Sequence, residues 1–241
     1  MSIHNIIKPG LLAVACLPFI LASCDEGDIP NKVADVDRSG RTARLEGSVV
    51  KADEWPAGYS VALAGFGDAD EYAMISKTVD TSALEKAGTM TLSGVPADVT
   101  SIELCVIDRL RRRVASFVTV KCDADGGEVV ITADGTDVGP MAAVQSEVFN
   151  TTCANCHGAS NHAAAGLSLL AGESHAQLVG ARSTVEAESM RVVAGNPDES
   201  LLWEILSTDK SASWRYDHSV EVVSTVRLDL VRNWIMAGAP E

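Results

Sequence analysis

Cys153, Cys156 and His157 stand together in the stretch TTCANCH, residues 151–157 of a 241-residue chain. The two thiols lie about one helical turn apart, and an imidazole directly follows the second. That grouping suits three kinds of chemistry. It could supply part of a zinc site, act as a dithiol–disulfide redox pair, or tether a porphyrin. In the last case each thiol adds to a vinyl group and the imidazole reaches the iron from one face. A zinc site needs four ligands and usually a second Cys or His pair nearby, which residues 141–241 lack. A thioredoxin-like pair sits at the strand-to-helix junction of a βαβ pattern, and none is visible. C-x-x-C-H is the attachment signature of a covalent c-type haem. Cys153 and Cys156 are therefore the expected thioether positions, and His157 the expected iron ligand.

Haem attachment of this kind takes place outside the cytoplasm, and the N-terminus points there too. One cation, Lys8, precedes an apolar run from Leu11 to Leu21, broken by Pro18. The run is too short to span a bilayer comfortably and has the proportions of a secretory signal. It ends in Leu21-Ala22-Ser23-Cys24, which resembles the lipobox of bacterial lipoproteins. The resemblance implies removal of residues 1–23 and lipidation of Cys24. The following Asp25-Glu26-Gly27-Asp28 looks like the sorting stretch of Bacteroidetes lipoproteins sent to the outer membrane or cell surface. In enteric bacteria an Asp after the cysteine implies inner-membrane retention instead.

Residues 1–23 carry one charged side chain, Lys8, so their removal shifts the formal net charge from −14 to −15. Such acidity argues against nucleic acid as a partner and against a polybasic grip on anionic lipid. Of the six cysteines, Cys16 leaves with the signal and Cys24 takes lipid. Cys105 and Cys122 could form a disulfide in an oxidising compartment. A simple hairpin turning near Leu110-Arg111 would instead pair Cys105 with Ser116, so a bridge needs the strands to meet in another way.

The elements that must position the motif divide into two regions. Residues 24–43 are polar and read as a tether. From 44 to 138 seven short β-like segments, ARLEGSVV, YSVALAGF, AMISKTV, TMTLSGV, SIELCVID, RVASFVTVK and GEVVITA, alternate with turn residues. They suggest an all-β antiparallel sandwich whose spacing resembles immunoglobulin-like or transthyretin-like modules. It carries no evident catalytic set. Arg109, Arg111, Arg112 and Arg113 beside the fifth segment read as a solvated turn. Glu54-Trp55 and Glu71-Tyr72 read as aromatics at a sheet edge, although sugar binding uses such pairs. After Gly139-Pro140 the period becomes helical. Met141 to Asn150 leads into the motif, and ESHAQLVG supplies a short helix. Asn196-Pro197 should cap and start another. STVRLDLVRNWIMAG places Val226, Leu230, Trp234 and Ile235 on one face. Residues 141–241 are thus expected to be a small all-α domain.

That region resembles the small cytochrome c domains of secreted planctomycete and Bacteroidetes proteins. The resemblance is carried, in order, by Cys153 to Gly158, Gly166-Leu167-Ser168-Leu169, Gly195-Asn196-Pro197-Asp198-Glu199-Ser200-Leu201-Leu202, and Trp234-Ile235-Met236-Ala237-Gly238-Ala239. It implies one covalent haem c, with His157 as proximal ligand. It also implies a methionine ligand in the loop before the last helix, where this chain reads Trp214-Arg215-Tyr216-Asp217-His218-Ser219. His218 occupies that place, and neutral imidazole is a competent sixth ligand. Met190 is the alternative, with Met236, His162 and His175 as weaker competitors. Leu167, Leu169, Leu178, Val192, Val193, Leu201, Leu202 and Trp234 are the expected haem wall, and Arg191 or Arg215 could meet a propionate.

The function expected from these readings is extracytoplasmic electron transfer by a lipid-anchored single-haem cytochrome, with a redox protein as partner and the β region as spacer or docking module. A haem-based sensor or weak peroxidase with an exchangeable sixth ligand is a second reading. A non-catalytic envelope binding module is a third. Neither an acid/base pair nor a substrate pocket suggests an enzyme acting alone.

Overall fold

Among the described residues, short apolar runs, alternating in burial in β4 and β7 and continuous in β2 and β5, give seven strands: β1 (Arg41–Val50), β2 (Tyr59–Phe66), β3 (Ile75–Thr78), β4 (Thr89–Val95), β5 (Ser101–Asp108), β6 (Arg113–Lys121) and β7 (Val129–Asp137). The computed structural model describes residues 40–123, 126–158, 163–214 and 216–241. The signal segment 1–23, Cys24, most of the tether, His162 and Arg215 lie outside the described residues. The strands form two sheets, ordered β4–β1–β7 and β3–β2–β5–β6. Leu45, Leu63, Leu104 and Ile131, fully buried, belong to one core shared by both sheets.

The fold is mixed α/β, which corrects the expectation of an all-β antiparallel sandwich followed by an all-α domain. β1 runs parallel to β7, with Leu45 opposite Ile131, while its other neighbour β4 is antiparallel. A helix, α1 (Thr81–Ala87), stands among the strands. The Asp80 carboxylate accepts the Ala83 N–H at its start, and Gly88 ends it at φ 70°.

Helices do follow β7: α2 (Pro140–Val144), α3 (Ala154–His157), α4 (Ser174–Leu178), α5 (Leu201–Ser207), α6 (Ser211–Trp214) and α7 (Thr225–Met236). Between Leu178 and Leu201, however, the chain is extended and turned. Isolated bridges join Val179 to Val192, Arg182 to Met190, Met190 to Ser200 and Val193 to Asn196. The apolar runs there are too short to sustain a helix, and Gly180 and Gly195 adopt positive φ. Asn196 makes no side-chain cap; residues Pro197–Glu199 form a 3-10 turn before α5.

The described residues fall in one compact unit. Its core passes from Ala43 through Ile131 to Val148, Phe149, Leu230 and Trp234 without a break. Burial of each large side chain contributes about 1.5–3 kcal/mol. Polar ties reinforce the junction: Trp55 Nε1 donates to the Val138 carbonyl at 2.6 Å, and Asn233 Nδ2 to the Tyr59 hydroxyl at 2.6 Å. The helical segment is thereby seated firmly on the sheets.

Cys105 and Cys122 are not bridged. The tight turn at Leu110-Arg111 puts Cys105 opposite Ser116, while the Cys122 N–H donates to the Thr100 carbonyl, five residues back along the neighbouring strand. Strand rise separates those levels by about 16 Å, beyond any disulfide. Both thiols are free. The arginines beside β5 are partly engaged: Arg112 pairs with Glu71 at 3.0 Å, and Arg113 pairs with buried Glu103 at 2.8 Å while lying over the Phe66 ring.

Candidate functional site

The motif sits at the end of one continuous helical run from Pro140 to His157. α2 begins after Gly139, whose N–H donates to the Asp137 carboxylate at 2.8 Å. The nine residues Gln145–Cys153 then wind as a π-helix before α3 closes the run. Such widened turns cluster at functional sites because they rotate the residues that follow. Buried Gln145 fixes this stretch. Its Nε2 donates to Asn150 Oδ1 at 2.7 Å and to the Leu169 carbonyl at 2.9 Å, and its Oε1 accepts the Ser174 hydroxyl at 2.6 Å. Gly158 follows the helix at a place where a Cβ would stand 2.3 Å from the Ala154 carbonyl oxygen, so glycine alone fits there.

Cys153 is half-buried and Cys156 exposed. Burial, aided by nearby Glu221, pushes the Cys153 thiol up to about 11. A dithiol redox motif needs the opposite, a thiolate favoured by positive surroundings. Cys153 is therefore a neutral thiol at ordinary pH.

His157 and His218 face each other with ring centroids 6.4 Å apart and planes 28° from parallel. His157 Nδ1 lies 3.1 Å from the Ala164 carbonyl oxygen. Donation of Nδ1–H to that oxygen fixes the tautomer that leaves Nε2 unprotonated. His218 starts a 3-10 turn, His218–Val220, capped by the Asp217 carboxylate, which accepts the Ser219 N–H at 2.9 Å. Its Nδ1 is buried and finds no hydrogen-bond partner among the described residues. Burial first, and the neighbouring His157 second, hold the His218 imidazole below its ordinary pKa. The edges of Trp214 and Tyr216 pack on its ring at 5.8 Å and 5.0 Å.

The two imidazoles border a cavity walled mainly by Leu167, Leu178, Val185, Leu201, Leu202 and Ile205. Arg191 also lines it, its Nη1 donating to the Gln177 carbonyl at 2.8 Å. Met190 does not. It lines a separate recess with Glu188, Asp198 and Glu199. Leu169, Val192 and Trp234 belong to the core behind the cavity, and Val193 lines the Met190 recess. His175 is half-buried, its Nε2 2.9 Å from the Ala239 carbonyl, and Met236 is half-exposed on α7.

Comparison with protein-family models, curated proteins and solved structures gives no match.

The donor set therefore has to be judged on its own geometry. Among the described residues no three His, Cys, Asp or Glu side chains gather as a metal site. A bare zinc ion wants three or four such ligands. A macrocycle brings four nitrogens of its own and asks the protein for two axial ones. Two imidazoles bound in line to one metal, each at about 2 Å, hold their ring centres about 6 Å apart. The observed centroid separation, 6.4 Å between near-parallel rings, is of that size. The apolar walls suit a porphyrin as well. The cavity encloses only about 60 Å³, however, well below the roughly 300 Å³ of a small-molecule site. A macrocycle enters only when the walls part.

The sequence singles out His157, His218 and all four leucines of the wall, Leu167, Leu178, Leu201 and Leu202. It does not single out Val185, Ile205 or the aromatic contacts of Trp214 and Tyr216. The one available signal is the pair of aromatics two and four residues before His218.

Proposed function

We propose that the chain is a single-haem c-type cytochrome that carries electrons outside the cytoplasm. Cys153 and Cys156 would hold the haem through thioethers, each S–H adding across one vinyl group, with His157 and His218 as axial ligands. When bound, haem c supplies one-electron exchange between ferric and ferrous iron.

The observation that carries this reading is the His157–His218 pair, held 6.4 Å apart beside a C-x-x-C motif. The chain's own contribution is to orient and to exclude. The Ala164 carbonyl fixes the His157 ring, burial disfavours the protonated form of His218, and the leucines keep water from the cavity. Imidazole in place of a thioether sulfur lowers the potential relative to Met/His ligation. The π-helical stretch and Gln145 place the thiols. The β region, sharing one core with the helices, would act as a rigid platform rather than a flexible spacer.

Lipid at Cys24 would hold the protein to a bacterial envelope membrane, with the outer membrane or cell surface favoured by the acidic stretch after the cysteine. A redox protein would be the partner. The optical spectrum of the exported, oxidised protein tests the ligand pair. It should be low-spin and should lack the charge-transfer band of sulfur ligation. A high-spin spectrum, or one with that band, would refute the pair.

A further inference from the structure

Three of the segments that wall the cavity are tied together through one carboxylate. Glu186 lies in a turn where the Ser183 hydroxyl oxygen accepts the N–H groups of Val185 and Glu186 at 3.1 and 3.0 Å. The same turn gives Ser183, Thr184 and Val185 to the cavity. From α6, Trp214 Nε1 donates to Glu186 Oε1 at 2.6 Å. Lys210 Nζ bridges Glu186 and Glu204 of α5 at 2.8 Å each. α5 supplies Leu201, Leu202 and Ile205 to the cavity wall. Trp214 then stands edge-on to His218, 5.8 Å between centroids and 88° between planes.

An exposed ion pair alone contributes little. The Glu186 arrangement differs because an indole N–H and an ammonium converge on the same carboxylate oxygen. The indole they fix is one wall of the proposed ligand. Trp214 is the part of the wall that stands against the His218 ring.

We propose that Glu186 is a positioning residue for the sixth iron ligand: through its hydrogen bond to Trp214 it keeps the His218 imidazole facing His157, and so governs how often the sixth position opens to an added ligand. The inference rests on the reading of His157 and His218 as an axial pair.

The test uses the full haem-loaded protein, reduced and mixed rapidly with carbon monoxide. Binding waits on departure of His218, so its rate reports the open fraction. Glu186→Ala should raise the rate about tenfold, the worth of one charge-assisted hydrogen bond in an equilibrium. The oxidised spectrum should stay low-spin. Glu186→Gln keeps an acceptor for the indole and should stay within about threefold of the parent. Trp214→Phe keeps a ring but removes the donor, so it should match Glu186→Ala. The double variant should be no faster than either single one, because both remove one interaction. Equal rates for Glu186→Ala and the parent overturn the proposal, and so do effects that multiply in the double variant. A parent protein that is high-spin before any mixing overturns the axial-pair reading instead, and this inference with it.

Discussion

Gln145→Ala should be among the most damaging substitutions that touch no proposed ligand. Gln145 is 8% exposed and its partner Ser174 1%, so water cannot readily replace what the amide supplies. The change leaves the Ser174 hydroxyl and the Leu169 carbonyl without this partner, while exposed Asn150 turns to solvent. Each orphaned buried group costs about 1–3 kcal/mol, and the lost methylenes about 1 kcal/mol more. The sum is about 3–7 kcal/mol, a large part of the roughly 5–15 kcal/mol that holds a domain folded. Urea unfolding measures it, in a Cys153→Ala, Cys156→Ala background so that cofactor binding adds nothing. With a slope of about 2–3 kcal/mol per molar, the midpoint should fall by about 1–3.5 M. Gln145→Met restores the volume and none of the hydrogen bonds, so it should recover only the methylene part. A midpoint shift below about 0.5 M for Gln145→Ala would refute the reasoning. The consequence should reach the motif, because the Leu169 N–H donates to the His157 carbonyl at 2.7 Å.

Further outcomes follow from other parts of the molecule. His218→Ala should convert the oxidised spectrum to high-spin or open the iron to carbon monoxide, while Met190→Ala, lining a different recess, should leave the spectrum alone. If Cys24 carries lipid, the exported protein partitions into detergent and Cys24→Ser releases or misprocesses it; free protein starting elsewhere than Cys24 would count against anchoring. Alkylation in denaturant without reductant should label both Cys105 and Cys122, and protection of both would contradict their separation across β5 and β6. Hydrogen bonds from Lys210 and Trp214 hold Glu186 below the ordinary carboxylate range. A depressed carboxylate stabilises above its unfolded value and loses that contribution as pH falls through the folded one. The tie to Trp214 should therefore be intact across the ordinary carboxylate range and above, and should weaken only as pH falls below that range, read by the indole fluorescence of Trp214 against Trp214→Phe.

All seven strands were legible because a short apolar run of four to ten residues is a local property of the chain. Their partners were not. The parallel pairing of β1 with β7 joins residues about ninety positions apart, and no local pattern records it. α1 escaped notice between two strands because only Leu84 of its seven residues is buried, although Asp80 and Gly88 were in place as caps. Residues 179–200 read as part of a helical domain because single-residue bridges are too short to leave an alternation. The π-helical winding of Gln145–Cys153 has the composition of an ordinary helix. The site divides in the same way. His157 was marked by its spacing and His218 by its place before the last helix. Glu186, 28 residues from Trp214, carries no such mark.

Covalent haem at the motif is the central claim, and the peptide containing Cys153–His157 tests it most directly. The protein is exported from a host with an intact haem-attachment system, stripped of loosely held haem with acidified acetone, digested, and its peptides weighed. The account predicts that this peptide carries the mass of one haem, and that Cys153→Ala with Cys156→Ala abolishes both the mass and the haem stain. A colourless or zinc-loaded protein whose Cys153 and Cys156 alkylate as free thiols would contradict it.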